Sequence, residues 1–274
     1  MAVEAPVVTD RTIPIRHFLG ADVHAATMQQ AVETCRRAIE GHRQLLIGVV
    51  NAAKIVNMQR EAGLHDAVSS TDLTLADGMA VVWASRLLGQ PLPERVAGID
   101  LFLELLGLAD RHHYSVYLLG AEQSVLDAVE EAVRRDFPGA RIVGSHHGYF
   151  SAAEEEGIAE EIRQHRPDLL FVAITSPKKE VFLARWAARM QIAVCHGVGG
   201  SFDVVAGKVH RAPRIWQRLG LEWLYRVLQE PRRLWRRYLV TNLLFTGMVL
   251  RELAGHLRHG REAVTARGAE PRER

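Results

Sequence analysis

The sequence has little cysteine, no secretion signal and no long apolar run. Its only cysteines are Cys35 and Cys195, and neither belongs to a C-x-x-C pair or to a set with metal-ligand spacing. This usage is typical of a reducing compartment and predicts two buried, unreactive thiols. Residues 1–12 include acidic residues and a proline and have no apolar core, so we expect that this stretch is not a secretory signal.

No segment is long and apolar enough to predict a transmembrane helix. The best candidate, residues 238–250, is interrupted by Thr241 and Asn242, and it is shorter than the roughly 20 residues that span a bilayer. The sequence therefore predicts that a membrane, if this protein meets one, is contacted from its surface.

Several signatures of nucleotide and metal chemistry are also missing. The chain has no G-x-x-x-x-G-K-[S/T] sequence, no G-x-G-x-x-G fingerprint and no D-x-D pair, which argues against a P-loop ATPase and a metal-bound diphosphate. His112-His113 and His146-His147 are adjacent pairs, whose members point to opposite faces of a strand and rarely share a metal. We therefore expect no metal and no cofactor.

The composition is that of a globular protein, with 48% hydrophobic and 24% charged residues, which predicts one main core. The formal net charge is only +2, but the basic residues are unevenly spread. Residues 211–237 include eight arginines but only two acidic residues, Glu222 and Glu230. The C-terminal part is therefore a local cation.

Short apolar runs alternate with segments of helical period from residue 45 onward, which predicts an α/β fold: a Rossmann-like parallel sheet flanked by helices. The runs are rich in Val, Ile and Leu, so we expect strands buried on both faces. The predicted strands are residues 45–50, 73–76, 115–119, 141–144, 169–174 and 193–197, and the predicted helices are residues 25–41, 52–62, 79–88, 101–111, 124–135, 153–165 and 178–190.

The strand pattern stops after residue 207, where a basic, Trp-rich helical segment begins. We therefore divide the chain into a Rossmann-like core of residues 1–207, a basic helical appendage of residues 208–260 and a disordered tail of residues 261–274.

Polar and glycine residues follow several of the predicted strands, where open parallel sheets bind ligands. Asp77 follows one strand, and its carboxylate is either a helix N-cap or a general base for an attacking hydroxyl. The glycine-rich turn after residue 197 could bring backbone N–H groups to a phosphate. Lys178 and Lys179 open a helix, where they oppose the helix dipole; they either face an anion or are solvated surface lysines.

Three of the five tryptophans, Trp216, Trp223 and Trp235, are interleaved with arginines in the appendage. This pattern suits a helix in the lipid headgroup region on an anionic membrane surface. Alternatively, the tryptophans pack on the core while the arginines pair with surface acids. A nucleic-acid partner is not expected, because no known reader module is present.

Ordered blocks between about residues 45 and 238 resemble the signature of WecG/TagA/CpsF glycosyltransferases. Chance does not readily produce so many blocks at the right separations. They are residues 75–89, 93–100, 117–121, 144–150, 176–180, 197–204 and 211–233.

The resemblance implies an inverting, metal-independent transferase that uses a UDP-sugar, typically UDP-N-acetylmannosamine, and a polyprenyl (undecaprenyl) diphosphate-linked acceptor at the cytoplasmic face of the membrane. By motif position it implies that Asp77 is the general base and that Arg95 contacts the diphosphate. The nucleotide pocket would be lined by Asn51 and Asp203, with the Gly199 and Gly200 turn, and the leaving group would be neutralised by Arg226, Arg233 and Arg236.

Two positions depart from the pattern of that family. Val49 stands where other members have Thr, and Lys179 stands where they have Gln. A hydroxyl is lost and a cation is gained, so Lys179 could pair with a uronic acid carboxylate or with the diphosphate. We therefore expect Lys179 in the catalytic group and an altered donor preference.

Two other functions remain open on the sequence: a non-catalytic peripheral membrane adaptor that uses only the basic appendage, and a dinucleotide-dependent oxidoreductase on the same sheet. A homo-oligomer is also left open.

Overall fold

The computed structural model describes residues 13–268. Residues 1–12 and 269–274, and the side chains of residues 256–268, Arg214, Arg218, Arg233 and Arg237, lie outside this description. The disordered tail expected at residues 261–274 falls partly outside it; the described backbone of that segment belongs to a helix that ends at Gly268.

A six-stranded parallel sheet forms the centre of the fold, in the order β4-β3-β8-β7-β5-β6, which confirms the Rossmann-like α/β prediction. The predicted strands are all present, within two residues at each end. They are β3 (Leu45–Val50), β4 (Leu73–Ala76), β5 (Ser115–Gly120), β6 (Arg141–His146), β7 (Leu169–Ala173) and β8 (Val194–Gly197).

The expectation that every strand is buried on both faces is wrong for β6. This strand pairs only with β5 at one edge of the sheet, and its residues are partly exposed. An edge strand has a sheet neighbour on one side only; the opposite edge strand, β4, is nevertheless buried, because residues 21–24 pack beside it. The other five strands are almost entirely buried.

Helices cover both faces of the sheet. The helix predicted at residues 52–62 ends earlier, at Met58. A second helix, which was not predicted, begins at Ala62 after Glu61, whose backbone is extended (φ −123°, ψ 94°). The helices up to residue 205 are α1 (Met28–Glu40), α2 (Ala52–Met58), α3 (Ala62–Ser69), α4 (Met79–Leu87), α5 (Gly98–His112), α6 (Gln123–Asp136), α7 (Glu155–His165), α8 (Lys178–Met190) and α9 (Ser201–Val205).

An antiparallel hairpin of β1 (Ile15–Phe18) and β2 (Ala21–His24) precedes the sheet and was not predicted. Its turn places Leu19 and Gly20 at positive φ (53° and 68°). A leucine is an unusual residue for that conformation, so the turn lacks the Asn-Gly or Asp-Gly signal of a tight hairpin. The hairpin packs beside β4, where Thr74 N donates to Nδ1 of His24 at 3.1 Å.

The C-terminal helices are α10 (Arg214–Arg218), α11 (Glu222–Gln229) and α12 (Pro231–Gly268). Phe245 and Val249 of α12 are buried in an apolar cluster with Ile55 of α2. In addition, Leu19 N donates to Oε2 of Glu252 at 2.8 Å. Part of the predicted appendage therefore completes the core.

Both cysteines are buried and free, as expected. Burial raises the pKa of the Cys35 and Cys195 thiols, so neither is reactive. Among the helices of the described chain, none is long and apolar enough to cross a bilayer.

Candidate functional site

Three of the polar loops identified from the sequence lie together at the carboxyl ends of the parallel strands. Because β4, β3 and β8 are parallel neighbours, Asp77, Asn51 and the Gly199 turn all follow the carboxyl ends of adjacent strands. A crevice outside these strand ends is where such sheets bind ligands.

Backbone hydrogen bonds hold Asp77 in place. Asp77 N donates to Val50 O at 2.8 Å, which extends the β3–β4 ladder, and Val96 N donates to Ala76 O at 2.9 Å. Helix α4 is capped by Gly78, at φ 139°, with no side-chain cap. The N-cap interpretation of Asp77 is therefore wrong, which leaves its carboxylate available for chemistry.

The electrostatic environment of Asp77 is mixed. Burial raises the pKa of its carboxyl group; Arg95, Lys54 and Arg226 act against this, whereas Glu222 adds to it. The net effect is a raised pKa. A carboxylate of raised pKa is a stronger base, and the nearby cations favour its ionised form. This arrangement suits proton abstraction.

Arg95 links the core to the appendage. Its guanidinium is 2.8 Å from Glu222 of α11 and 3.4 Å from Asp100 of α5. Arg211, at the start of the appendage, pairs with the same Asp100 at 2.6 Å. Two arginines and two carboxylates therefore join α5 to α11 beside Asp77. The contact of Arg95 with a diphosphate stays a prediction.

Asn51 starts α2 as its N-cap, with Oδ1 accepting from Lys54 N at 2.9 Å. Its Cβ lies 3.8 Å from the position that a Cβ on Gly78 would occupy. This places Asn51 directly beside the Asp77 loop. The capping bond uses Oδ1, and the amide Nδ2 is the donor group of this side chain.

Lys179 is buried, so the surface-lysine interpretation is wrong for it. Its Nζ lies 3.3 Å from Oε1 of Glu180, and Lys54 Nζ lies 2.7 Å from the same oxygen. Burial, followed by Lys54, lowers the pKa of Lys179 to about 8. Lys178, by contrast, points to Phe150: its ammonium lies 3.9 Å from the ring centroid.

The turn after β8 brings Gly199, Gly200 and Asp203 together. Gly199 has φ 54°, a conformation that favours glycine. The N–H groups of Val198, Gly199 and Ser201 donate to backbone carbonyls at 2.9, 3.4 and 3.2 Å. A phosphate at this turn would therefore need side-chain cations as partners in addition to the backbone.

The appendage arginines differ in their placement. Arg226 is exposed on α11, and its charge acts on Asp77. Arg236 is exposed on α12, and no described contact joins it to the strand-end residues. The side chain of Arg233 lies outside the described residues. The predicted role of all three in charge neutralisation stays a prediction.

Sequence reasoning missed Lys54, Glu180 and Glu222, which contribute charge to this site. Lys54 had a usable signal, because it stands in the first turn of a helix that follows a strand end. Glu180 and Glu222 had none beyond their place in the family blocks, since their partners, Lys54 and Arg95, are over 100 residues away.

Within the described part of the chain, no three His, Cys, Asp or Glu side chains converge as a metal site. The cations near Asp77 are Arg95, Lys54 and Arg226.

His196 anchors the loop that carries Arg95. It is fully buried on β8, with Nε2 at 3.1 Å from Gly98 O, the first residue of α5, and with no partner for Nδ1. Burial lowers the pKa of His196 to about 4. The imidazole is therefore neutral at physiological pH.

We expect His196 to make folding acid-sensitive. Its pKa is depressed when folded, so its contribution to stability is complete above the unfolded pKa of 6.5 and is lost as the pH falls towards about 4. The loss amounts to about 3 kcal/mol. His196→Gln, which does not titrate, should show a correspondingly smaller loss of unfolding free energy between pH 6.5 and 4 in urea denaturation. Equal pH slopes in the two proteins would contradict this assignment.

Comparison with known proteins finds one family over most of the chain. Residues 16–259 match the Glycosyl transferase WecG/TagA/CpsF family. Three relatives are each named N-acetylglucosaminyldiphosphoundecaprenol N-acetyl-beta-D-mannosaminyltransferase. That of Bacillus spizizenii (strain W23) is 42% identical over 71% of this chain and 75% of its own length; that of Bacillus subtilis (strain 168) is 37% identical over 71% and 75%; that of Staphylococcus aureus (strain MW2) is 34% identical over 80% and 86%.

Proposed function

Since the chain belongs to the WecG/TagA/CpsF family of glycosyl transferases, we propose that it moves a sugar from a UDP-sugar to a polyprenyl diphosphate-linked saccharide in cell-surface polysaccharide synthesis. The relatives are named for transfer of N-acetylmannosamine to N-acetylglucosaminyl-diphosphoundecaprenol, which supports this acceptor class. The observation that carries the proposal is Asp77, a carboxylate of raised pKa held among cations at the strand ends.

In the proposed reaction, Asp77 accepts the proton of the acceptor hydroxyl. The hydroxyl oxygen forms a bond to the anomeric carbon of the donor sugar while the bond from that carbon to the phosphate oxygen breaks. UDP departs with the electron pair, and direct attack from the opposite face inverts the anomeric centre. Each step uses side chains alone, so the proposed mechanism is metal-independent.

The leaving diphosphate gains negative charge as this bond breaks. Arg95 and Arg226 act electrostatically on Asp77, which supports a role for both near the proposed base. In the proposed site these arginines, with Arg233 and Arg236, neutralise the departing UDP. Fixed cations that meet charge as it develops supply several kcal/mol in studied enzymes, on the order of 3 per well-placed group.

Membrane contact on the cytoplasmic face is proposed through α10, α11 and α12. Apolar side chains are exposed on these helices and in the turn after α10, among them Ile215 at 64%, Leu219 at 56% and Trp235 at 54%. A Cβ on Gly220 would lie 2.8 Å from Trp83 of α4, which is also exposed. An apolar surface flanked by arginines suits the headgroup region of anionic lipids, where a polyprenyl-linked acceptor is held.

The two alternative functions have different standing. Membership of a glycosyl transferase family replaces the oxidoreductase interpretation. The adaptor interpretation predicts liposome binding without turnover, and it leaves the charged groups around Asp77 without a purpose.

The test is UDP release from a panel of UDP-sugars with a polyprenyl diphosphate-linked N-acetylglucosamine acceptor, with EDTA and on liposomes. We expect acceptor-dependent UDP release that EDTA leaves unchanged, with one donor preferred. Loss of release in EDTA would refute metal independence. Liposome binding without release from any donor would favour the adaptor.

A further inference from the structure

Two buried lysines share one carboxylate at the site. Lys54, Lys179 and Glu180 are 9%, 7% and 8% exposed, and both ammonium groups meet the same oxygen, Oε1 of Glu180, at 2.7 and 3.3 Å. The other oxygen, Oε2, is buried without a hydrogen-bond partner in the described structure. Lys54 is closer to this oxygen and therefore interacts with Glu180 more strongly. The charge of Lys179 is less well neutralised.

Two ammonium groups and one carboxylate give this cluster a net charge of +1 when all three are ionised. Burying an uncompensated charge is energetically unfavourable. Asp77 is the next anion that acts on Lys179. In the proposed reaction Asp77 becomes neutral when it takes up the proton, so its compensation of Lys179 ends during turnover. An anionic group of the donor beside Lys179 would restore this compensation.

The position of Lys179 shows where that anion lies. Its carbon chain runs over Gly197, where an added Cβ would be 2.8 Å from Cδ and Cε, and its Nζ is 3.6 Å from the position of a Cβ on Gly199. The ammonium group therefore stands at the carboxyl end of β8, under the glycine turn. The cavity between Lys54, Lys179 and Glu180 is only about 20 Å³, about the space of one water molecule. A ligand therefore meets Lys179 from the strand ends.

Lysine is also an uncommon cation in this protein. The sequence contains only four lysines, at positions 54, 178, 179 and 208, whereas arginines are numerous. Half of the lysines thus lie in this one buried cluster. A lysine can lose its proton when buried, whereas an arginine cannot.

We propose that Lys179, backed by Lys54 and oriented by Glu180, forms an oxyanion-binding subsite for the nucleotide-sugar donor. This inference rests on the proposed function. The oxyanion comes from one of two sources on the donor, the diphosphate or a carboxylate on the transferred sugar, and both present the same charged oxygen to the ammonium group.

The subsite predicts pH-dependent binding. The charged groups that face Lys179 are Lys54 from α2, Glu180 from its own helix and Asp77 after β4, and neutral His196 lies close on β8. The pKa of Lys179 is about 8, so the protonated form that binds an oxyanion predominates below this value. Donor affinity should therefore fall as the pH rises from 7.5 to 9.5.

The experiment is calorimetric titration of the full-length protein with UMP, UDP, UDP-glucose and UDP-glucuronate at pH 7.5. Lys179→Gln keeps a hydrogen-bonding group but removes the charge. For the probes that carry the recognised oxyanion, we expect it to weaken binding by about 10- to 100-fold, as loss of a charged hydrogen bond does. Lys179→Arg should restore most of the affinity and, because arginine stays protonated, should remove the fall above pH 8.

Two further variants complete the design. Lys178→Gln is the matched control, because it removes the neighbouring charge, which lies over Phe150, and should leave all affinities unchanged. Lys54→Met removes the excess charge and leaves Glu180 to pair with Lys179 alone. It should weaken binding of the same probes as Lys179→Gln, and it serves as the test if Lys179→Gln does not fold.

The pattern across probes identifies the source. Equal losses for UDP and both UDP-sugars, with UMP unchanged, indicate the diphosphate; a loss confined to UDP-glucuronate indicates the sugar carboxylate. Unchanged affinities in Lys179→Gln and Lys54→Met, with normal binding by the unmodified protein, overturn the subsite alone and make the cluster a structural ion pair. If the unmodified protein binds no uridine nucleotide, the proposed donor class fails and the subsite fails with it.

Discussion

Asp77→Asn is expected to lower kcat for sugar transfer by about 10³-fold, because general bases contribute on this scale. The amide has the shape of the carboxyl group but cannot accept the hydroxyl proton. The backbone of residue 77 is held by Val50 and its neighbour Ala76 is held by Val96, so the fold and the affinity for UDP should change little. Single-turnover transfer rates and UDP titration measure the two quantities separately.

The same strand offers a matched control. Asp72 precedes β4 as Asp77 follows it, and burial also raises the pKa of Asp72. Its Oδ2 accepts from Leu46 N at 2.7 Å at the far end of the sheet. Asp72→Asn should affect stability and leave kcat nearly unchanged. Equal rates in Asp77→Asn and the unmodified protein would remove Asp77 as the base.

Arg95→Met is expected to lower kcat by about 10²- to 10³-fold, the range measured when one charge-stabilising donor is lost. It should also move the acid limb of the pH–rate profile. Arg95 lowers the pKa of Asp77 and is the largest attractive charge upon it. Without it that pKa rises further, so Asp77 becomes protonated at a higher pH and activity is lost earlier on acidification.

Glu222→Gln separates this effect from the docking of α11. Glu222 is the partner of Arg95 at 2.8 Å, but its charge raises the pKa of Asp77. Both variants break the same ion pair, yet they should shift the acid limb in opposite directions, upward for Arg95→Met and downward for Glu222→Gln. If both variants lower the rate by the same factor at every pH from 5 to 9, and the acid limb does not move, Arg95 only holds the appendage in place.

The strand ends were predictable because a buried parallel strand has a strong local signal. Asp77 and Asn51 each directly follow an apolar run. Because strands that alternate with helices are parallel, the carboxyl ends of these two strands lie on the same side of the sheet. The hairpin was missed because its turn uses Leu19 at positive φ, which no turn rule favours. The short β6 edge was placed correctly but is less buried than its composition indicates.

The sequence alone determined the alternation of strands and helices, the basic helical C-terminal segment and the position of Asp77 after a strand, because each depends on neighbouring residues. Which charged side chains meet depends on how the whole chain folds. Lys54 pairs with Glu180 across 126 residues, and Arg95 pairs with Glu222 across 127. Such pairs are set by how the helices pack on the sheet. These pairs cannot be predicted from local sequence, because the residues next to a charged side chain do not indicate which distant residue it will contact.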